Sequence, residues 1–356
     1  MDIRKIINYY SVRVRNKTTV LIKNLAMQLV NTKLDNVRDL ENLLTDFVLS
    51  GKLIRGTLYL LITKMYGNKK IEDFLDIAVA IELNHSGLLI HDDIIDNDFL
   101  RRGKPTMHRR YSFLASDLGI TDKEDLGKNM ALCMGDICFF GSNLIIENSS
   151  IPKDIKQRIT KYYFLQLLKT GLSQMLDVKL GLSTKDPKLS EIFKVYNYKT
   201  GSYTFNSPLI MGYYSSGNKD EAEIDILEKI GYSLGIIFQI TDDLIGFLKD
   251  GKAIGKDAGS DIRENKKTII RYFMLKQLKY SEYNFALKCF GNKRLSNVDL
   301  EKLREIYYTR QIDKIINKYL LDETIKAKAN IKKLHLSDDY KTALIQFTEN
   351  LVDRLI

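Results

Sequence analysis

The chain has 356 residues, with 55 Lys and Arg against 45 Asp and Glu (net charge +10), 44% hydrophobic residues, four Pro, three Cys and no Trp. That apolar share excludes wholesale disorder, and Cys133, Cys138 and Cys289 are too few and too scattered for a disulfide framework or a four-ligand zinc site. The basic balance admits nucleic acid, a membrane surface or anionic small molecules as partners.

The chain opens Met1-Asp2-Ile3-Arg4-Lys5, without the apolar stretch of a secretory signal, and free thiols suit a reducing compartment, so the expected location is cytoplasmic. The longest charge-free run, Thr200 to Asn218, is interrupted by Ser, Asn, Gly and Pro208. A spanning helix needs roughly 20 mostly apolar residues, so no transmembrane segment is expected. From Phe74 to Ile90 apolar residues fall on nearly every face, which predicts a helix buried all round. Breakers follow at Arg102-Gly103-Lys104-Pro105, Asp186-Pro187 and Asn206-Ser207-Pro208, and in the polar run 250–265. From Leu227 the apolar positions Leu227, Ile230, Leu234, Ile237, Phe238 and Leu244 keep helical spacing. Strand-type alternation is scarce, and no linker or repeat is visible. The expectation is a single all-α domain over residues 1–356.

The most informative segment is Glu82 to His108, which holds His85, His91 and His108, three of the four His. Asp92 and Asp96 are four residues apart and Asp93 and Asp96 three, so on a helix all three carboxylates share one face. Like charges this close call for a counter-charge, either a divalent cation or, at a solvated helix end, Arg101 and Arg102. Gln239, Asp242 and Asp243 repeat the pattern at the end of a second apolar run. A Gly-containing loop follows, with Gly255-Lys256-Asp257-Ala258-Gly259-Ser260-Asp261 and Asn265-Lys266-Lys267-Thr268. Glycines there let backbone and Lys side chains close over an anion. Two carboxylate clusters on separate helices, facing each other, would hold several Mg²⁺ ions, with Lys and Arg taking the remaining phosphate charge. That describes a diphosphate-binding cavity in a helical bundle.

These motifs resemble, in order and over Ser50 to Thr268, those of the trans-isoprenyl diphosphate synthases (polyprenyl synthetases). The elements are Gly51-Lys52-Leu53-Ile54-Arg55, His85, His91-Asp92-Asp93-Ile94-Ile95-Asp96, Arg101-Arg102-Gly103-Lys104-Pro105-Thr106, Lys199-Thr200-Gly201, Phe238-Gln239-Ile240-Thr241-Asp242-Asp243 and Gly255-Lys256. The resemblance implies the isoprenoid synthase fold, an all-α bundle around a central cavity, in a homodimer. It implies Mg²⁺-dependent head-to-tail condensation of isopentenyl diphosphate with an allylic prenyl diphosphate, three Mg²⁺ per site, and no nucleic-acid partner. It assigns catalytic roles to Asp92, Asp93, Asp96, Lys199, Asp242 and Asp243, with Asp92, Asp93, Asp96 and Asp242 as metal ligands. Arg101, Lys199, Thr200, Gln239, Lys256 and Lys266 match positions that hold the allylic diphosphate, and Lys52, Arg55, His85 and Arg102 the isopentenyl diphosphate site.

Four positions depart from the family pattern. Ser50 replaces a common Gly, Gly56 stands where Pro is frequent, Asn265 replaces a Gly, and Gly246 takes the third acidic place of the second motif. In the family, side chains just before the first motif close the floor of the product tunnel. Here those are Asn84, Gly87 and Leu88, none aromatic. Gly87 is expected to leave room for a geranylgeranyl or longer product, and Gly87→Phe to shorten it. Farnesyl diphosphate synthase and a non-catalytic partner subunit are the alternatives. A His91-Asp92 phosphohydrolase lacks an upstream His, and a terpene cyclase lacks its second motif.

Overall fold

The computed structural model describes residues 3–34, 36–67, 70–115, 119–249 and 259–353. Long helices span Ile3–Leu29, Lys123–Asn148, Lys153–Leu182 and Glu221–Leu248, and the architecture is all-α. The described residues cluster into two compact units, Asp2–Thr160 with Met211–Asn218 and Lys161–Ile210 with Lys219–Ile356.

In the first unit the apolar run does form a helix buried on all sides. It spans Leu75–Ile95, and every residue from Ile77 to Gly87 is buried. The helices Ile3–Leu29, Ile54–Met65 and Lys123–Asn148 pack around it. Asp122 caps the last of these by accepting from the Asp125 N–H at 2.9 Å. Its approach to Leu75–Ile95 is close because glycines stand at the contact. A Cβ on Gly87 would lie 2.9 Å from the Gly135 carbonyl and 2.7 Å from the Phe139 ring, and one on Gly135 would lie 2.3 Å from the His91 ring. Lys123–Asn148 is long and apolar enough to cross a membrane by length and composition. Its Ala131, Gly135, Cys138 and Ser142 are nevertheless buried, and Ser142 Oγ donates to the Ala80 carbonyl at 2.9 Å.

One piece is not helical. Leu100–Arg101 and Lys104–Pro105 pair as antiparallel two-residue strands. Arg102 and Gly103 form the turn with φ of +55° and +76°, the left-handed pair that a tight hairpin needs. The sequence showed only a breaker here, because a two-residue strand has no room for alternation.

In the second unit Glu221–Leu248 begins at Asp220, whose side chain accepts from Ala222 N at 3.0 Å. Leu227, Ile230, Leu234, Ile237 and Leu244 are buried as their spacing predicts, while Phe238 is half-buried. Asn206-Ser207-Pro208 does not break the chain. An eleven-residue π-helix, Tyr196–Asn206, runs into the helix Ser207–Ser215. Pro208 falls just past the junction of the two. The π-helix meets Glu221–Leu248 glycine on glycine: a Cβ on Gly235 would lie 2.5 Å from the Gly201 Cα.

Gly235→Ala therefore forces backbone apart and is expected to lower stability by about 1–3 kcal/mol. Gly171, on an exposed helix face with no heavy atom within 4 Å of a Cβ, serves as control. Gly171→Ala is expected to raise stability by about 0.5–1 kcal/mol through helix propensity. Denaturant midpoints of the two variants check both signs.

Candidate active site

The end of the Leu75–Ile95 helix splits its three aspartates by environment. Asp92 and Asp96 are half-buried, whereas Asp93 is fully buried. Burying a carboxylate alone is costly, so a cation must go with it. Arg101 is that cation: its Nε and Nη2 both donate to Asp93 Oδ1, and Nη2 lies 3.4 Å from Asp98 Oδ2. Burial opposes the Arg101 charge, but Asp93, Asp92 and Asp98 outweigh it and hold its pKa above the usual value. Asp92 and Asp96 thus reach solvent in part, while Asp93 and Arg101 neutralise one another beneath them.

A second cluster gathers cations. Arg55 is 8% exposed and starts the Ile54–Met65 helix. Arg102 donates to Ser50 Oγ at 3.1 Å and fills the space where a Gly51 Cβ would stand, 2.8 Å from its Nη1. A side chain at position 51 would therefore displace the Arg102 guanidinium. Burial, then the neighbouring Arg101 and Arg55, push the Arg102 pKa down to about 10. His85 is buried, and burial together with Arg55, Arg102 and Arg101 hold its pKa well below the usual value, so it offers hydrogen bonds without charge. Lys52 is exposed. Buried Glu82 accepts from Gly56 N–H at 2.8 Å, capping the helix that carries Arg55. Pro at position 56 would remove that donor, and any Cβ there already lies 2.6 Å from the Ala78 carbonyl. Glu82 itself is held up in pKa by burial, against the pull of Arg55 and Arg102.

In the second unit Asp242 is exposed and Asp243 is 4% exposed. Tyr196 donates to Asp243 Oδ2, and Gln239 Nε2 donates to Oδ1 at 3.1 Å. Burial, then Asp261, raise the Asp243 pKa well above the usual value. Thr200 Oγ1 donates to Gln239 Oε1 at 2.9 Å, so the π-helix and the second motif are joined by a relay. Lys199 pairs with Asp177 at 2.7 Å, and Lys266 lies 3.5 Å from Asp261 and 3.3 Å from Glu264. A diphosphate would compete with these carboxylates for the two ammonium groups. At Gly246 the missing acidic side chain is matched by Asp261, whose Oδ2 stands 3.4 Å from the position of a Cβ. Lys256 lies outside the described residues.

No group of three His, Cys, Asp or Glu side chains among the described residues forms a complete metal cage. Mg²⁺ fits this donor set, since it is commonly held by one or two carboxylates with substrate phosphates and waters completing the shell. Gly87, expected to leave room for product, does not: Phe139, Gly135 and Cys138 fill the space beside it. Glu82, Asp177, Tyr196 and Asp261 were given no role in the sequence. Tyr196 stands three residues before Lys199, a spacing that gave a weak hint; Asp177 carries no local signal at all.

A helical protein with an open aspartate pair, a guanidinium cluster and metal-compatible carboxylates is a diphosphate-handling enzyme. The polyprenyl synthetase profile matches residues 37–307. A short chain isoprenyl diphosphate synthase of Methanocaldococcus jannaschii is 33% identical over 72% of each chain. A geranylgeranyl diphosphate synthase of Sulfolobus acidocaldarius is 28% identical over 78% of this chain and 76% of its own. The crystal structure of a geranylgeranyl pyrophosphate synthase from Corynebacterium glutamicum, complexed with isoprenyl diphosphate and magnesium, superposes with a TM-score of 0.91 at 25% identity, over 99% of this chain and 100% of its own. The chain belongs to the polyprenyl synthetase family and has its all-α isoprenoid synthase fold; it is a trans-isoprenyl diphosphate synthase, a prenyltransferase.

His108 braces the Arg101–Arg102 turn. Its Nδ1 lies 3.3 Å from Thr106 Oγ1, and that hydroxyl donates to the Asp98 carbonyl at 2.8 Å. Burial, then Arg109 and Lys128, push its pKa down to about 4. The unfolded chain takes up this proton more readily, so stability is present above about pH 6.5 and is lost as pH falls toward 4. His108→Gln is expected to flatten the fall in denaturation midpoint across that window.

Proposed function

We propose that the chain condenses isopentenyl diphosphate with an allylic prenyl diphosphate to make geranylgeranyl diphosphate or a longer product, and that the reaction needs Mg²⁺, with three ions per site. The observation that supports it best is the division of labour in the first unit. A partly open Asp92–Asp96 pair suits metal-held diphosphate, and a separate Arg55–Arg102 cluster around neutral His85 suits a diphosphate held directly.

Asp92, Asp96 and Asp242 would hold Mg²⁺, which when bound supplies positive charge at the leaving diphosphate. Lys199 and Lys266 leave their carboxylate partners to take the allylic diphosphate, and Thr200 and Gln239, joined by their hydrogen bond, offer polar groups to the same diphosphate. Arg55, Arg102 and Lys52 bind isopentenyl diphosphate and keep its double bond toward the allylic carbon, where attack forms the new bond and a proton is lost. Asp93 and Arg101 serve mainly by fixing one another. The product length rests on the absence of an aromatic at Asn84 and Leu88 and on relatives named geranylgeranyl diphosphate synthases; a farnesyl diphosphate synthase of Buchnera aphidicola at 31% identity is the case for the shorter product.

The test is incubation with isopentenyl diphosphate and each allylic primer, with Mg²⁺ or EDTA, followed by chromatography. A product of at least twenty carbons that vanishes with EDTA is expected. Farnesyl diphosphate as sole product overturns the length, and chelator-insensitive turnover overturns the metal. Since Gly87→Phe would drive its ring into the Lys123–Asn148 helix, Leu88→Phe is the variant expected to shorten the product.

We also propose that the chain works as one prenyltransferase domain over residues 1–356, in the cytoplasm, as a homodimer. Support for the dimer is the outer face of Lys123–Asn148, where Leu132, Phe140 and Leu144 are 45%, 71% and 41% exposed. Phe140→Glu is expected to convert a dimer of twice the 41.1 kDa chain mass to monomer by light scattering.

A further inference from the structure

Besides the residues given roles above, the second unit has a cavity of about 390 Å³ lined by Asp186, Lys188, Lys267, Arg271, Tyr272 and Leu275, among others. Its inner wall carries an anomaly. Lys267 is only 6% exposed, and its Nζ has no hydrogen-bond partner among the described residues. A buried ammonium group without a partner is costly. The anion nearest at hand is already engaged, since Arg271 Nη1 donates to Asp186 Oδ1 and Nε to Asn265 Oδ1 at 3.0 Å. Lys188 and Lys276 stand exposed at the same cavity. Four cations therefore face one carboxylate. Burial, followed by the proximity of Arg271, lowers the Lys267 pKa against the pull of Asp186.

We propose that this cavity is a second phosphate-type oxyanion site, in which Lys267 Nζ contacts the anion from below while Lys188 and Lys276 close on it from the rim. None of its lining residues carries a role in prenyl transfer here. Ile192, Leu275 and the Tyr272 ring give the wall an apolar part, so the diphosphate head could arrive as inorganic diphosphate or attached to a prenyl chain. The shared chemistry is the diphosphate oxyanion.

The test is thermal unfolding of the full chain in EDTA, with and without inorganic diphosphate and, separately, farnesyl diphosphate. It compares the parent protein, Lys267→Met, and a Lys52→Gln/Lys199→Gln variant that weakens the candidate active site. Without ligand, Lys267→Met is expected to raise the melting temperature, because it removes an unpartnered buried charge. Inorganic diphosphate is expected to raise the melting temperature of the parent and of Lys52→Gln/Lys199→Gln alike, and to leave Lys267→Met within a quarter of that shift. A larger shift with farnesyl diphosphate that Lys267→Met also abolishes assigns the prenyl-bound source; equal shifts assign the inorganic one. If Lys267→Met keeps the full shift, or if diphosphate shifts none of the proteins, the site is overturned. A lower melting temperature for ligand-free Lys267→Met overturns the unpartnered charge on which it rests. Loss of the shift only in Lys52→Gln/Lys199→Gln places all diphosphate binding in the active site and also overturns it.

Discussion

The constraint on which the rest of the structure depends is the removal of two carboxylates from water at the ends of two apolar helices. Asp93 and Asp243 are 0% and 4% exposed, and a carboxylate so placed must be answered locally or lose its charge. The two ends answer differently. Asp93 takes Arg101, brought back by a two-residue hairpin. Among the described residues no cation is bonded to Asp243; it takes the Tyr196 hydroxyl and the Gln239 amide, and its pKa rises. In each case the neighbouring aspartate, Asp92 or Asp242, is left nearer to solvent. Each pair of adjacent aspartates thus has one buried member held by the protein and one nearer to water.

Close helix contact makes those answers geometrically possible. Gly87 and Gly135 let the Lys123–Asn148 helix lie against the first motif helix and give the His91 ring its place. Gly201 and Gly235 bring the π-helix onto the second motif helix, near enough for Thr200 to reach Gln239 and Tyr196 to reach Asp243. The π-turns have a purpose here: an extra residue per turn changes the direction of the side chains, and such segments concentrate at functional sites. Backbone spacing is therefore part of the electrostatics. A methyl group at Gly201 or Gly235 would push the π-helix and the second motif helix apart and lengthen the Tyr196–Asp243 hydrogen bond.

The net charge of +10 acquires a different meaning against this map. Through the first and second motifs most cations found here have a named anion: Arg101 has Asp93, Lys199 has Asp177, Lys266 has Asp261 and Glu264, and Arg271 has Asp186. The basic excess that admitted nucleic acid is concentrated in the C-terminal part of the chain, where 271–356 carries 17 Lys and Arg against 11 Asp and Glu. Arg101 takes a buried carboxylate through two nitrogens of its fork, whereas Lys199 and Lys266 sit in partly exposed pairs, as the stronger hydration of an ammonium favours.

By itself the sequence determined the all-α fold and the two motif helices, because periodicity and spacing along one helix are local properties, and its resemblance to the polyprenyl synthetases implied the reaction class. Leu227, Ile230, Leu234, Ile237 and Leu244, and Ile77 to Gly87, are buried as their patterns dictate. Only the tertiary structure decided which aspartate of each pair is buried, since that depends on Arg101 and Tyr196 arriving from elsewhere in the chain. It also supplied Glu82, Asp177 and Asp261 as partners for cations and caps, and it reversed the reading of Gly87. A glycine in a sequence shows that a side chain is missing, but whether the vacancy holds substrate or a neighbouring helix is settled by packing, and here Phe139 and the Gly135 carbonyl fill it.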